Sequence, residues 1–501
     1  MVMISARTTS RVATDIRKCR YQSTTTISNV SKNALPFEDV PTLKSTKWPF
    51  VGQLPGLTQV DPELFKQYGF SKGYKLMGKA RELTCGKDML RYYSPLMNPK
   101  GNGHVVYLFN PSLVEYVHRN EGKYPNRGPV FEFLGVLRSS RPDAFGEYTG
   151  LLSDEGEKWH NMRSKVQQDM MRPQSALYYT ERLQEVADDF VKYVEMNRTI
   201  DMTNHGDFIN DLQDLALEHI TAIALDTRLG CFGSASALGS NAQAEKAVKA
   251  SRGLASEFLN IFFSPPLWKI HPTLSSPMRR MSRYFNDFTD FSKTKVDEAS
   301  KRIKEESMVN LKKANKDMSI LEKFIRKNGA DSPIPSLMAS DMLLAGIETT
   351  GNTIEFLLYN LAMNKEKQDK LREEIMQFGD TLTSKDVDKL KYMSACMKES
   401  MRLHPTVNGG SRFLDKEIEV GGYKFPAGTW FYWSYHLFAE DKRYFPDSET
   451  YRPERWLDPV EKKSIHPFAV LPFSYGPREA GISGVSSFLS LTQIHINFLI
   501  A

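Results

Sequence analysis

At 501 residues, 41% hydrophobic and 25% charged, the chain has an ordinary globular composition and room for one large domain or two to three average ones. Its formal charge of +6 is small for that length, and no basic stripe or base-reading motif accompanies it, so the composition excludes nucleic acid as a partner. Cys19, Cys85, Cys231 and Cys396 are scattered without metal-ligand spacing, which excludes a disulfide framework and fits a reducing compartment.

Residues 1–33 read as a mitochondrial transit peptide. Arg7, Arg11, Arg17, Lys18 and Arg20 are opposed only by Asp15, and Ser and Thr are abundant. A disordered basic tail is the other reading of the same composition. No apolar run reaches the 18 or so residues of a membrane-spanning helix. Trp48 to Gly56 is predicted to be a turn-rich segment without an element of its own. His104–Phe109 is β-branched and aromatic and stops at Asn110-Pro111, so it reads as a strand, with a helix from Ser112 through Arg119.

A helix is predicted over Asp154–Met171. It places Trp159 and Arg163 four apart on one face, where an indole N–H and a guanidinium together can bind a carboxylate. Taken alone, the pair reads first as a surface Arg packed on a Trp. Residues 174–330 carry amphipathic helical stretches, with Lys301–Glu306 and Lys312–Asp317 as solvated surface. Pro333–Asn364 is predicted to be the longest helix, about 45 Å, apolar around much of its circumference. Set into it are Ala345-Gly-Ile-Glu-Thr-Thr350. Gly346 admits another body to the backbone, a buried Glu348 needs a purpose, and Thr349 can bond back to the preceding turn and loosen the helix there. A further helix is predicted over Lys385–His404, with Glu399 and Arg402 on one face, then short strands at Ile418–Val420 and Tyr423–Phe425. Near the end stands Leu471-Pro-Phe-Ser-Tyr-Gly-Pro-Arg-Glu-Ala480, where Gly476-Pro477 make a turn and Arg478 supplies charge.

In that order these stretches resemble the cytochromes P450. The family's haem loop runs Phe-Gly-x-Gly-x-Arg-x-Cys-x-Gly. Phe473, Gly476 and Arg478 match it, while Ser474 and Ile482 stand at the first and last glycines and Ala480 at the axial cysteine. The resemblance implies one mainly α catalytic domain over residues 34–501 with a small β-rich part near the N-terminus. It runs to about Glu479, and the elements that follow the loop in the family are expected to be truncated, as at a variant transcript end joined there. It also implies haem, with Trp159, Arg163, Ala345, Gly346, Arg412, Phe473, Gly476 and Arg478 around it. Glu348 and Thr349 would be catalytic proton-relay residues, and Glu399, Arg402 and Arg455 a structural network. No metal ligand is assigned, because Ala480 occupies the axial position. The presequence, together with Ala34–Pro41, points to the mitochondrial branch, which implies a ferredoxin-type electron donor docking near Lys391 and Lys398 and a small lipophilic substrate, sterol or xenobiotic. Peripheral association with the inner membrane belongs to the same expectation. Two functions follow: hydroxylation of that substrate with O2, or a catalytically inactive binding or regulatory protein or truncated isoform, because a thiolate is what favours O–O cleavage.

Overall fold

The computed structural model describes residues 34–479, except 44–46, 48–51, 69–72, 85, 96, 171–177, 198–207, 233–241, 264–266, 309–317, 379–385 and 387–388. The transit-peptide segment, Lys312–Asp317, Ala480 and Ile482 lie outside the described residues. The fold is mainly helical with a small mixed sheet, the class expected. Chain contacts divide it into two compact units. One takes the residues up to Pro129 with Val407–Thr450 and Lys463–Arg478; the other takes Val130–Thr406, Tyr451–Lys462 and the residues from Glu479 on.

The first unit is built on a four-stranded sheet of β1 (Met89–Tyr93), β2 (His104–Leu108), β3 (Gly409–Leu414) and β6 (Thr429–Ser434), in the order β1-β2-β6-β3. β2 pairs parallel with β6, and the outer pairs are antiparallel. The β-rich part is therefore not confined to the N-terminal region, since half of this sheet comes from residues 409–434. A separate hairpin of β4 (Ile418–Val420) and β5 (Tyr423–Phe425) matches the two predicted strands. The helix Pro111–Arg119 follows β2 directly. Asn110 accepts a hydrogen bond from the Ser112 N–H at 2.9 Å and Pro111 fits the first turn, so the predicted stop signal is a helix cap as well. Val106, Leu108, Val114, Val117, Phe431, Trp433 and Phe468 make the buried core here.

The second unit is organised around the helix Ile334–Met363, in which Leu337, Met338, Leu343, Ile347, Ile354 and Leu357 are buried. It packs on Phe208–Ala224, whose residues from Leu215 to Ala224 are all buried. Gly346 is required at that contact: a Cβ there would lie 2.8 Å from Ile220 Cγ1, so the body its backbone admits is Ile220.

Three expectations change. Among the described residues the longest helix is Ser276–Met308, with 33 residues against 30 for Ile334–Met363. Its buried stripe of Met278, Met281, Phe285, Phe288, Ser292, Val296, Ala299 and Ile303 keeps 3–4 spacing through a highly charged sequence, which, with a serine at its centre, disguises its length. The helix predicted from Lys385 begins at Lys391, because the Glu374 carboxylate accepts from the N–H groups of Tyr392 (2.7 Å) and Met393 (2.9 Å) and caps it there. The segment before Gly56 gives way to a short helix, Leu54–Thr58. Among the described residues no helix is long and apolar enough to cross a membrane.

Candidate functional site

In the helical unit, Trp159 and Arg163 lie on the helix Gly156–Met170, as their spacing predicts, and Trp159 is buried. Arg163 Nη2 donates to the Glu479 carbonyl at 2.8 Å. Burial pulls its guanidinium below the usual arginine range, offset in part by the Glu479 charge.

The helix Ile334–Met363 turns an open face at the predicted hexapeptide. Ala345 and Thr349, one turn apart, are exposed, whereas Leu343, Ile347 and Thr350 are buried on the other side. The Thr349 hydroxyl donates to the Ala345 carbonyl at 2.7 Å, and Thr353 donates to the Thr349 carbonyl at 2.6 Å. These bonds are the predicted back-bonds, yet the helix stays α-helical throughout and does not loosen. With its proton committed to Ala345, Thr349 Oγ1 is left with lone pairs to accept from outside. Glu348 is half-buried between these two faces. Burial alone raises its carboxyl above the ordinary carboxylate range, so it keeps its proton to a higher pH than an exposed glutamate.

The same unit holds a buried charge network. The Glu399 carboxylate accepts from Arg402 Nε (3.0 Å) and Nη2 (2.8 Å), and from Arg455 Nε (2.9 Å). Two further donors carry no sequence signal: Trp456 Nε1 at 2.8 Å and the Arg452 backbone N–H at 3.1 Å. Glu399, Arg402 and Arg455 are each at most 2% exposed, so one buried carboxylate is shared by two buried guanidinium groups, away from solvent. Lys391 and Lys398 occupy the exposed side of the same helix, seven residues apart. Partial burial, then repulsion from Lys462 and Lys391, lowers the Lys398 ammonium; Lys462 is a third member of this basic face that spacing alone did not reveal.

In the sheet unit, Arg412 on β3 is buried and all three guanidinium nitrogens are engaged. Nε donates to Glu121, Nη1 to the Ser411 carbonyl at 2.8 Å, and Nη2 to His118 Nδ1 at 3.2 Å. His118 Nδ1 also lies 3.3 Å from Glu121 Oε2, so it accepts from Arg412 or donates to Glu121 according to its tautomer. Burial lowers the His118 pKa, offset in part by its hydrogen bond to Glu121. The haem-loop stretch follows in the same unit. Phe473 is half-buried, and Gly476–Arg478 form one 3-10 turn in which Arg478 Nε donates to the Pro125 carbonyl at 2.5 Å. Gly476 has φ +81° and Ser474 has φ +68°. Ser474 therefore holds a left-handed backbone at a position where the family pattern has glycine.

A profile of the family described as "Cytochrome P450" matches residues 88–480. The chain belongs to the cytochrome P450 family. It is 30% identical to the probable cytochrome P450 12a5, mitochondrial, of Drosophila melanogaster, over 89% of this chain and 82% of that one. Cytochrome P450 CYP12A2 of Musca domestica is 30% identical over 92% and 85% of the two chains. The probable cytochrome P450 12c1, mitochondrial, of Drosophila melanogaster is 31% identical over 85% and 81%.

The P450 family implies haem, and the residues answer that in part. Trp159, Arg163 and Arg478 are donors suited to carboxylates, and the open Ala345–Thr349 face suits an apolar planar body. Position 480 does not fit the iron, because an alanine methyl has no lone pair to give. No step through the iron follows from this set of residues.

The Glu399 network gives a prediction. Glu399→Gln leaves two buried guanidinium groups without their counter-charge and should cost about 3–5 kcal/mol of stability. Denaturant unfolding of the variant beside the parent measures it; a loss below about 1 kcal/mol would mean that the charge is not what holds Arg455.

Proposed function

We propose that this is the scaffold of a mitochondrial-type monooxygenase that hydroxylates a small lipophilic substrate, such as a sterol or xenobiotic, with O2 and ferredoxin-delivered electrons. The open face of Ala345 and Thr349 beside Glu348, whose carboxyl burial raises above the ordinary range, carries the reading. It joins an apolar surface, a hydroxyl able to accept and a carboxyl able to give a proton within one helical turn and a half. Haem, when bound, supplies the activation of O2. In the helical unit Trp159 and Arg163 are the residues proposed to face its carboxylates, with Ala345 on the surface beside it, while Gly346 serves the contact with Ile220. In the sheet unit Arg412 and Arg478 are proposed as further donors to carboxylates, with Phe473 and Gly476 in the same loop as Arg478. The relatives' names support a mitochondrial location, with residues 1–33 as the transit peptide.

One residue favours a second reading for the chain as it stands. With Ala480 at the axial position, it keeps the fold and a lipophilic surface but is a catalytically silent binding or regulatory protein.

A reduced carbon-monoxide difference spectrum separates the two. The unaltered chain should show no thiolate-type band, and Ala480→Cys should gain one. A thiolate band from the unaltered chain overturns the placement of Ala480; none from Ala480→Cys overturns the monooxygenase scaffold.

Lys391 and Lys398, with Lys462 beside them, form the basic face offered to an acidic ferredoxin. Replacing Lys391 and Lys398 by Glu should weaken binding of such a donor about tenfold or more at low salt. The difference should shrink as salt rises; an equal loss at all salt concentrations would remove these residues from the interface.

Peripheral membrane association has support in Leu267, Ile270 and Leu274, three exposed apolar residues within eight positions, with Ile270 77% exposed and Lys269 among them. Ile270→Glu should lower co-sedimentation with anionic vesicles about tenfold. Unchanged partitioning would dismiss the patch.

A further inference from the structure

A second buried ion pair ties together three segments of the helical unit. Arg138, on the helix Glu132–Ser139, is fully buried; Asp341, on the helix Ile334–Met363, is 5% exposed and lies one turn before Ala345. Arg138 Nη2 donates to Asp341 Oδ1 at 2.6 Å and Nη1 donates to the Thr149 carbonyl at 2.6 Å. The other Asp341 oxygen, Oδ2, accepts from the Leu151 N–H at 2.8 Å. One guanidinium and one carboxylate thus hold the stretch 149–151 from both sides.

That stretch is in turn fastened to the start of the next helix. Asp154 accepts from the Gly150 N–H at 2.9 Å and from the Thr149 hydroxyl, and Ser153 Oγ donates to the Thr149 carbonyl at 2.5 Å. Two residues beyond Asp154 begins the helix Gly156–Met170, with Trp159 and Arg163. Gly150 leaves no tolerance: its φ is +91°, and a Cβ there would lie 2.2 Å from Arg138 Nη1 and 2.8 Å from Asp341 Oδ2.

Buried ion pairs add little stability over well-packed apolar side chains of the same volume, so net stability is a poor account of this one. Its directionality is a better account, since two planar charged groups fix an angle as well as a contact. We infer that Arg138 and Asp341 are positioning residues, a lock that sets the helix of Trp159 and Arg163 in register with the helix of Ala345, Glu348 and Thr349. What those helices carry rests on the proposed function; the lock itself does not.

The test compares the parent chain with Arg138→Met/Asp341→Leu, in which an apolar pair replaces the charges, and with Arg138→Lys, which keeps the charge but cannot reach Thr149 and Asp341 as a fork. The double variant should unfold within a few degrees of the parent. Amide exchange at Leu151 and the following turn should nevertheless speed up about tenfold or more in both variants. Trp159 emission, isolated by subtracting the Trp159→Phe counterpart of each protein, should shift to the red. Parent-like exchange and emission in the double variant would overturn the lock. So would full rescue by Arg138→Lys. If the double variant fails to fold, Arg138→Lys decides by the same two readouts. Neither readout needs bound haem or turnover, so a failed monooxygenase reading leaves this result standing.

Discussion

The Glu399 carboxylate is the point on which the helical unit depends. A charge buried this deeply is tolerable only if donors surround it, and its donors come from two separated pieces of chain. Meeting that demand fastens Tyr451–Lys462 to the helix Lys391–Leu403. It also orients the helix: with Glu399 and Arg402 turned inward, Lys391 and Lys398 must face water. The fold requirement and the proposed docking face are two sides of one helix.

The same constraint recurs elsewhere with different partners. Arg412 is buried against Glu121 and His118 within the sheet unit, and Arg138 against Asp341 within the helical unit. In each case one carboxylate and one guanidinium, distant in sequence, meet where neither would be tolerated alone. Arg412 enters such a cluster with every nitrogen already engaged by protein oxygen or nitrogen. Any carboxylate that it binds must therefore share it with Glu121.

How far the sequence disclosed this varies with the kind of signal. Period and punctuation were enough for the strand at His104, the hairpin at Ile418 and Tyr423, and the helices that carry Trp159 and Glu348. They did not reveal β6, because Thr429–Ser434 is buried on both faces and lacks the alternation of a half-exposed strand. Glu399, Arg402 and Arg455 were legible as a motif; Trp456 and the Arg452 amide were not, since a backbone donor leaves no trace in composition. Glu121 and His118 stand some 290 residues before Arg412, and nothing local joins them. Asp341 could have been found. The argument that a buried acid in an apolar helix needs a partner, applied to Glu348, applies with more force about two turns earlier.

The pairing of β2 with β6 has a consequence for how the chain is made. Their partners are about 325 residues apart, with the whole of Val130–Thr406 between them. At ribosomal rates of roughly 5–20 residues per second, β2 is exposed for about 16–65 s before its parallel neighbour exists. Through that interval it can offer an unpaired, strongly apolar edge, His104-Val-Val-Tyr-Leu108, to any other nascent strand. The sheet unit therefore cannot close until nearly the whole chain has been made, whatever the stability of its finished core.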